Sequence, residues 1–142
     1  MYSKRSGDTI AVRLVAGEDV HESLIAACSE HGVRAGFVVS GIGRLVDAEL
    51  GYFEKPGKYA TRRFMGTFEL LNLSGNVCEH DGALMGHLHA MLADLDYRVF
   101  GGHLVGAKVG LTLEVQVAVV QEPVRMYRRM EQEWGLPGLI VE

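Results

Sequence analysis

Apolar and polar residues alternate over most of the chain, which is the period-two pattern of β-strands that bury one face. Short stretches rich in Gly, Asn, Asp and Pro separate these segments. The clearest alternation lies between Val109 and Gln121, where one face would carry Leu111, Leu113, Val115, Val117 and Val119. We predict strands at residues 9–15, 35–41, 45–54, 59–64, 68–77, 83–92, 98–105 and 109–121, and an extended tail at 136–141.

One segment near the start has helical spacing instead. Its apolar residues recur every three or four positions, at Val20, Leu24, Ala27 and Cys28. Asp19 is a suitable N-cap, with Glu22 at the capping-box distance, and Gly32 follows as a stop signal. We predict a helix at 19–31, and a second, short helix at 126–134.

Strands that follow one another without intervening helices favour antiparallel pairing. The predicted fold class is therefore α+β: a mainly antiparallel β-sheet flanked by a few helices. No linker or internal repeat divides the chain, and its 142 residues suit one domain. We therefore predict a single domain over residues 1–142, with its core at about 8–141.

Composition narrows the cellular context. No segment approaches the roughly 18 apolar residues of a membrane span, and the basic N-terminus lacks the apolar stretch of a signal peptide. Cys28 and Cys78 are too few for a disulfide framework. The first falls in the helical pattern as a buried small residue, and the second lies near a turn. We expect a cytoplasmic protein with no membrane partner.

The charge balance bears on nucleic-acid binding. Fourteen basic and 18 acidic residues give a formal net charge of −4, which disfavours nonspecific contact with phosphates. DNA is therefore a possible partner but not the favoured one. The candidate basic surfaces are Arg62 with Arg63 and Arg128 with Arg129, which are more simply interpreted as solvated side chains.

Three of the six histidines are organised. His87 and His89 alternate on one predicted strand, so their side chains point to the same face. If the residues at 94–97 form the turn, simple antiparallel register places His103 directly opposite His89, because these two positions centre on residue 96. Opposed Cβ atoms lie about 4.5–5.5 Å apart, so three imidazoles would converge.

Convergent imidazoles are the ligands of a zinc-type ion, with Zn–N of about 2.0–2.1 Å. Three protein ligands leave a position for a small molecule, as in catalytic sites. Zinc is preferred, although imidazole also suits Fe, Ni, Cu and Co. Glu69 and Asp94 are candidate acid–base partners, and Asp96 a candidate additional group. We interpret His21, His31 and His80 as surface residues.

The run Ser40-Gly41-Ile42-Gly43 superficially resembles a phosphate-binding loop. The dinucleotide fingerprint needs another Gly three residues on, at the start of a helix. Here Val46 occupies that position and a strand pattern follows. We predict that these glycines serve a bend or close packing.

Several ordered motifs together resemble the PPC ("plants and prokaryotes conserved") domain family over about residues 8–141. They are the Ser40–Gly43 run followed by Gly51-Tyr52-Phe53, the segment Gly66 to Gly75, His87-Leu88-His89, and Gly101-Gly102-His103-Leu104 followed by Thr112 to Val115. The resemblance implies an antiparallel sheet flanked by helices, a homotrimer, and metal binding at His87, His89 and His103. It attaches no definite enzyme activity.

Three functions follow as hypotheses. The favoured one is a trimeric metal-binding protein, with zinc the preferred ion, whose open three-histidine site acts on or senses an unknown small molecule. The alternative is a DNA-binding or regulatory module that uses the four arginines named above; the AT-hook that plant members join to this domain is missing from the chain. The third is a scaffolding trimer that associates through Trp134 and Leu136. Whether the protein is an enzyme is left open.

Overall fold

The computed structural model describes all 142 residues as eight strands and one helix. The elements are β1 (Tyr2–Ser6), β2 (Thr9–Val15), α1 (Val20–Glu30), β3 (Ala35–Lys55), β4 (Lys58–His80), β5 (Ala83–Ala93), β6 (Val99–Val119), β7 (Met126–Glu131) and β8 (Leu136–Val141). Every strand pair is antiparallel except β4 with β7. The predicted α+β class is therefore confirmed in outline, but the sheet dominates and one helix stands where a few were expected.

Four strands form a closed ring. β3 pairs with β4 and β6, and β5 pairs with the same two strands on their other sides. β2 and β1 extend the sheet from β6, while β7 and β8 extend it from β4. Ring closure fixes the second half of β5, His89–Ala93, from both edges, whereas its first half pairs with β4 alone.

The helix forms as its sequence predicts. Asp19 is the N-cap, and its carboxylate accepts a hydrogen bond from the Glu22 backbone N–H at 3.0 Å. The buried face is the predicted one, with Val20, Leu24, Ala27 and Cys28. It packs into a core of 24 buried residues that includes Leu88, Ala90 and Leu92 of β5. This helix is too short to cross a membrane.

Several pairs of strands that were predicted to be separate are parts of one long strand. Residues 35–41 and 45–54 both belong to β3, and residues 59–64 and 68–77 both belong to β4. Residues 99–105 and 109–119 both belong to β6, which begins one residue later and ends two residues earlier than predicted. The interruptions are shifts in pairing register within continuous strands. At one of them Asp47 adopts φ 52°, and its carboxylate accepts the Gly66 N–H at 2.9 Å. Such bulges bend a strand without ending it.

The glycine run at Ser40–Gly43 lies inside β3. A Cβ on Gly43, whose φ is 155°, would overlap the carbonyl oxygen of Thr112, and one on Gly41 would lie 2.8 Å from Leu73 Cβ. These glycines therefore allow close strand packing, as predicted.

The C-terminal helix prediction is wrong. Residues Met126–Glu131 form strand β7, which pairs with β8 along its length and touches the edge of β4. Met126 and Arg128 are buried while Arg129 is exposed, which is strand alternation. Pairing with two neighbours outweighs the local helical tendency. The extended tail at 136–141 is confirmed as β8.

Candidate metal centre

The β5–β6 hairpin fixes the relation of the histidines. His89 pairs directly with His103, as predicted from a turn centred on residue 96. The Asp94 carboxylate holds the turn, because it accepts the backbone N–H groups of Asp96 at 2.9 Å and Arg98 at 3.0 Å. A one-residue slip would send His103 to the other face, so this turn determines the site.

The three imidazoles converge on one side of β5. Leu88, between the two β5 histidines, points into the core, so His87 and His89 both face outward. The ring centroid of His87 lies 5.2 Å from that of His89 and 5.0 Å from that of His103, and the centroids of His89 and His103 are 5.4 Å apart. One nitrogen from each ring lies within 4.8 Å of the others.

This cluster fits a transition-metal ion. Two nitrogens about 2.0–2.1 Å from a tetrahedral zinc ion lie roughly 3.3 Å apart, so small side-chain rotations would bring the three together. Burial lowers the pKa of His87 to about 4, helped by the positive charge of Arg128 and by neighbouring histidines. Burial likewise lowers the pKa of His103. Both rings are therefore neutral near pH 7, which is the form that binds metals.

A buried arginine touches the cluster. Arg128 Nη2 lies 2.8 Å from His87 Nδ1 and donates to Asn76 Oδ1 at 3.0 Å, while Nη1 donates to the Pro137 carbonyl at 2.6 Å. Arg128 is only 8% exposed, and its Nε has no partner. The expectation that Arg128 lies on a solvated basic surface is therefore wrong, because β7 turns it towards the histidines.

The histidines open into a cavity of about 770 Å³. Apolar side chains form much of its wall, namely Phe53, Met85, Val105, Leu136 and Pro137. Tyr59 stands at another side, with its ring centroid 6.2 Å from that of His103. Its hydroxyl occupies the space that a Cβ on Gly51 would need. The cavity is large enough for a small molecule.

The predicted acidic partners lie elsewhere. Glu69 pairs with Arg44, whose Nε donates to it at 3.0 Å, and Asp94 caps the hairpin turn. Asp96 accepts from Arg98 Nη2 at 2.8 Å in the same turn. None of the three lines the cavity. The structure thus brings together the histidines but not the candidate acids.

The other three histidines, predicted at the surface, are all half-buried: His21, His31 and His80. His21 has its Nε2 2.9 Å from the carbonyl oxygen of Leu104, next to His103. His80 lies at the end of β4. Cys78 is fully buried inside β4, and Cys28 is buried as predicted. Helical spacing places His21 near the core face, which is the signal that could have indicated its position.

The fold and site define a small β-rich protein with a three-histidine cluster beside a buried arginine. The chain belongs to the Plants and Prokaryotes Conserved (PCC) domain family, which it matches over residues 1–121. The resemblance inferred from the sequence motifs is thereby confirmed. Arg128, Leu136 and Pro137 lie outside the matched range.

Solved structures share the whole fold. A Bacteroides thetaiotaomicron protein with a provisional DNA-binding name superposes with a TM-score of 0.88 at 27% identity, covering 98% of this chain and 96% of that one. A Pyrococcus horikoshii PPC protein gives 0.81 at 27%, covering 96% and 93%. A metal-containing protein of Archaeoglobus fulgidus gives 0.83 at 28%, covering 96% and 95%.

Curated relatives are much longer. The bifunctional protein GlmU of Synechococcus sp. strain JA-3-3Ab is 34% identical over 108 residues, which are 75% of this chain but 16% of that protein. GlmU of strain JA-2-3B'a(2-13) is 33% identical over the same extent. The chain therefore corresponds to about a sixth of these relatives.

The histidine pKa values predict a pH-dependent stability of the metal-free protein. His87 has a pKa of about 4 when folded, against an ordinary value of 6.5. Between these values the unfolded chain binds a proton that the folded protein does not. The contribution of His87 to the free energy of unfolding is therefore fully present above about pH 6.5 and is lost as the pH drops towards 4. Urea unfolding at several pH values would measure this slope, and His87→Gln should flatten it. An unchanged slope in that variant would show that His87 is not the source of the pH dependence.

Proposed function

We propose that this protein binds one divalent transition-metal ion, with zinc preferred, through His87, His89 and His103. The observation that carries the proposal is the convergence of three imidazole nitrogens on the wall of a cavity. The neutral state of His87 and His103 supports it, as does the name of the metal-containing Archaeoglobus relative.

The proposed role of this site is to act on, or sense, a small molecule. When bound, a metal with three protein ligands supplies Lewis acidity towards a ligand oxygen. The side chains of the cavity wall would contact and orient that ligand. The two carboxylates first considered as acid–base partners do not reach it, so a reaction that needs a carboxylate base is not favoured.

Elemental analysis of the purified, untagged protein after brief dialysis tests the proposal. We expect about one transition-metal ion per chain, because the chain has one such cluster. Reconstitution with zinc should saturate at the same ratio. A protein that retains no metal even after reconstitution would overturn the proposal.

We further propose that the chain assembles as a homotrimer. Large apolar side chains are exposed on four strands of the ring: Phe37, Val39, Ile42, Leu71, Met91, Val99 and Leu111. Contiguous exposed apolar surface is typical of interaction sites. Light scattering would report about three times the chain mass of 15.5 kDa, whereas a monomer would contradict this part of the proposal.

DNA binding is the second candidate. It is favoured by the provisional name of the Bacteroides relative and by the exposed Arg62, Arg63 and Arg129. The burial of Arg128 and the net charge of −4 weigh against it. Salt-sensitive binding to duplex DNA that is lost in an Arg62→Ala, Arg63→Ala variant would support it, and no shift of DNA at low salt would rule it out.

A further inference from the structure

The cavity beside the histidines has an unbalanced charge. Its only permanently charged lining side chain is Arg128, and no Asp or Glu lines it. Glu79, the residue that pairs with Tyr127 next along β7, is bound to Arg34. Histidines bind a metal ion as neutral imidazoles, so they add no charge to that of the ion. A divalent cation held there would give a formal charge of plus three, two from the cation and one from Arg128. Positive charge of this size beside a buried guanidinium favours a counter-anion.

The hydrogen bonds of Arg128 lead to the same conclusion. A guanidinium has five N–H groups. The two N–H groups on Nη2 contact Asn76 Oδ1 and His87 Nδ1, and one N–H on Nη1 donates to the Pro137 carbonyl. The Nε N–H is buried without an acceptor. That buried N–H does not reach the cavity, but Nη1 carries a second N–H without a protein acceptor, and Arg128 lines the cavity.

Metal binding would take a further hydrogen-bond acceptor away from Arg128. If His87 binds a cation through Nδ1, its lone pair is no longer available to Arg128. If it binds through Nε2, a neutral ring carries its proton on Nδ1, which then cannot accept a hydrogen bond. In both cases Arg128 loses the acceptor that lies 2.8 Å away. An oxygen anion in the cavity would replace it.

We propose that Arg128 anchors the carboxylate of a small organic acid in this cavity, an inference that rests on the proposed metal site. A planar carboxylate matches the guanidinium fork and gives charge-assisted hydrogen bonds. The apolar wall from Phe53, Met85 and Val105 suits a hydrocarbon or aromatic body. Leu136 and Pro137 of β8 complete that wall. The β7–β8 hairpin thus supplies both the charge and part of the shape that select the ligand.

Benzoate and its neutral isostere benzamide test this inference by calorimetric titration of the zinc-loaded protein. We expect the wild type to bind benzoate at least about tenfold more tightly than benzamide, which is the effect of one charge-assisted contact. Arg128→Met should remove the preference while keeping the zinc content. Arg129→Met is the matched control, since the neighbouring side chain is exposed, and it should bind benzoate like the wild type.

The outcomes separate the two proposals. A wild type that holds zinc but binds both compounds equally would overturn the carboxylate anchor alone, and so would an Arg128→Met variant that keeps the preference. A wild type that holds no zinc would overturn the metal site and this inference with it. If Arg128→Met does not fold, the comparison moves to Arg128→Lys, because a carboxylate also binds zinc directly and the wild type alone does not separate the two contacts. Arg128→Lys, which keeps the charge but loses the fork, should then show a reduced preference.

Discussion

Replacing His87, His89 and His103 together by alanine should reduce the bound metal from about one ion per chain to none. No carboxylate or thiol completes the cluster, so the variant keeps no protein ligand at the site. The fold should survive, because these side chains face away from the core and His89 is exposed. Elemental analysis would measure the metal, and circular dichroism with light scattering would check fold and assembly.

The matched control replaces His31 and His80 by alanine. His31 lies at the C-terminal cap of α1, with its ring against Ser3, and His80 contacts the Arg128 carbonyl oxygen at 3.3 Å. Neither belongs to the cluster, so this variant should keep its metal. Stoichiometric metal in the triple variant would show that the ion binds elsewhere.

Gly75→Ala should destabilise the protein by at least about 2 kcal/mol, in the range of substitutions that strain the backbone. Gly75 lies on β4 with φ 148°, a conformation that L-residues rarely adopt. An added Cβ would overlap the carbonyl oxygen of His87 and lie 2.9 Å from Leu88 Cα. Relief requires β5 to move away from β4, which would also displace His87 and weaken zinc binding.

Gly106→Ala provides the comparison. This β6 glycine has an ordinary backbone angle, and a Cβ there would meet no atom within 4 Å. The free energy of unfolding of the Gly106→Ala variant should stay within about 0.5 kcal/mol of the wild-type value. Urea unfolding would measure both variants, and zinc titration would follow the site. A Gly75→Ala protein as stable as the wild type would show that β4 and β5 do not need this close approach.

The local parts of the site could be predicted from sequence. The separation of His89 and His103 encodes their pairing, because a tight hairpin turn leaves one simple register. The cap at Asp19 likewise lies within a few residues of the helix that it starts. These features depend on neighbours along the chain, so alternation and turn chemistry suffice to find them.

The remainder depends on contacts between distant segments. Arg128 lies 41 residues from His87 along the chain, and only the pairing of β7 with β4 brings them together. Glu69 and Asp94, the candidate acid–base partners, each pair with a nearby arginine instead. Strand alternation at Met126 and Arg128 was the available signal for β7, and an arginine at a buried position concealed it.

The closed ring has a consequence for how the protein avoids uncontrolled aggregation. Once β3 to β6 pair in a cycle, open backbone edges remain on β1, on β8, on the first half of β4 before β5 joins at Glu69, and on the first half of β5 before β6 joins at His89. Unpaired edges invite strand addition from other chains, and charged residues or proline discourage it. Arg62 and Arg63 lie on the open half of β4, Lys4 on β1 and Pro137 on β8. Arg62 and Arg63, which first suggested a nucleic-acid surface, therefore also discourage strand addition at an open edge.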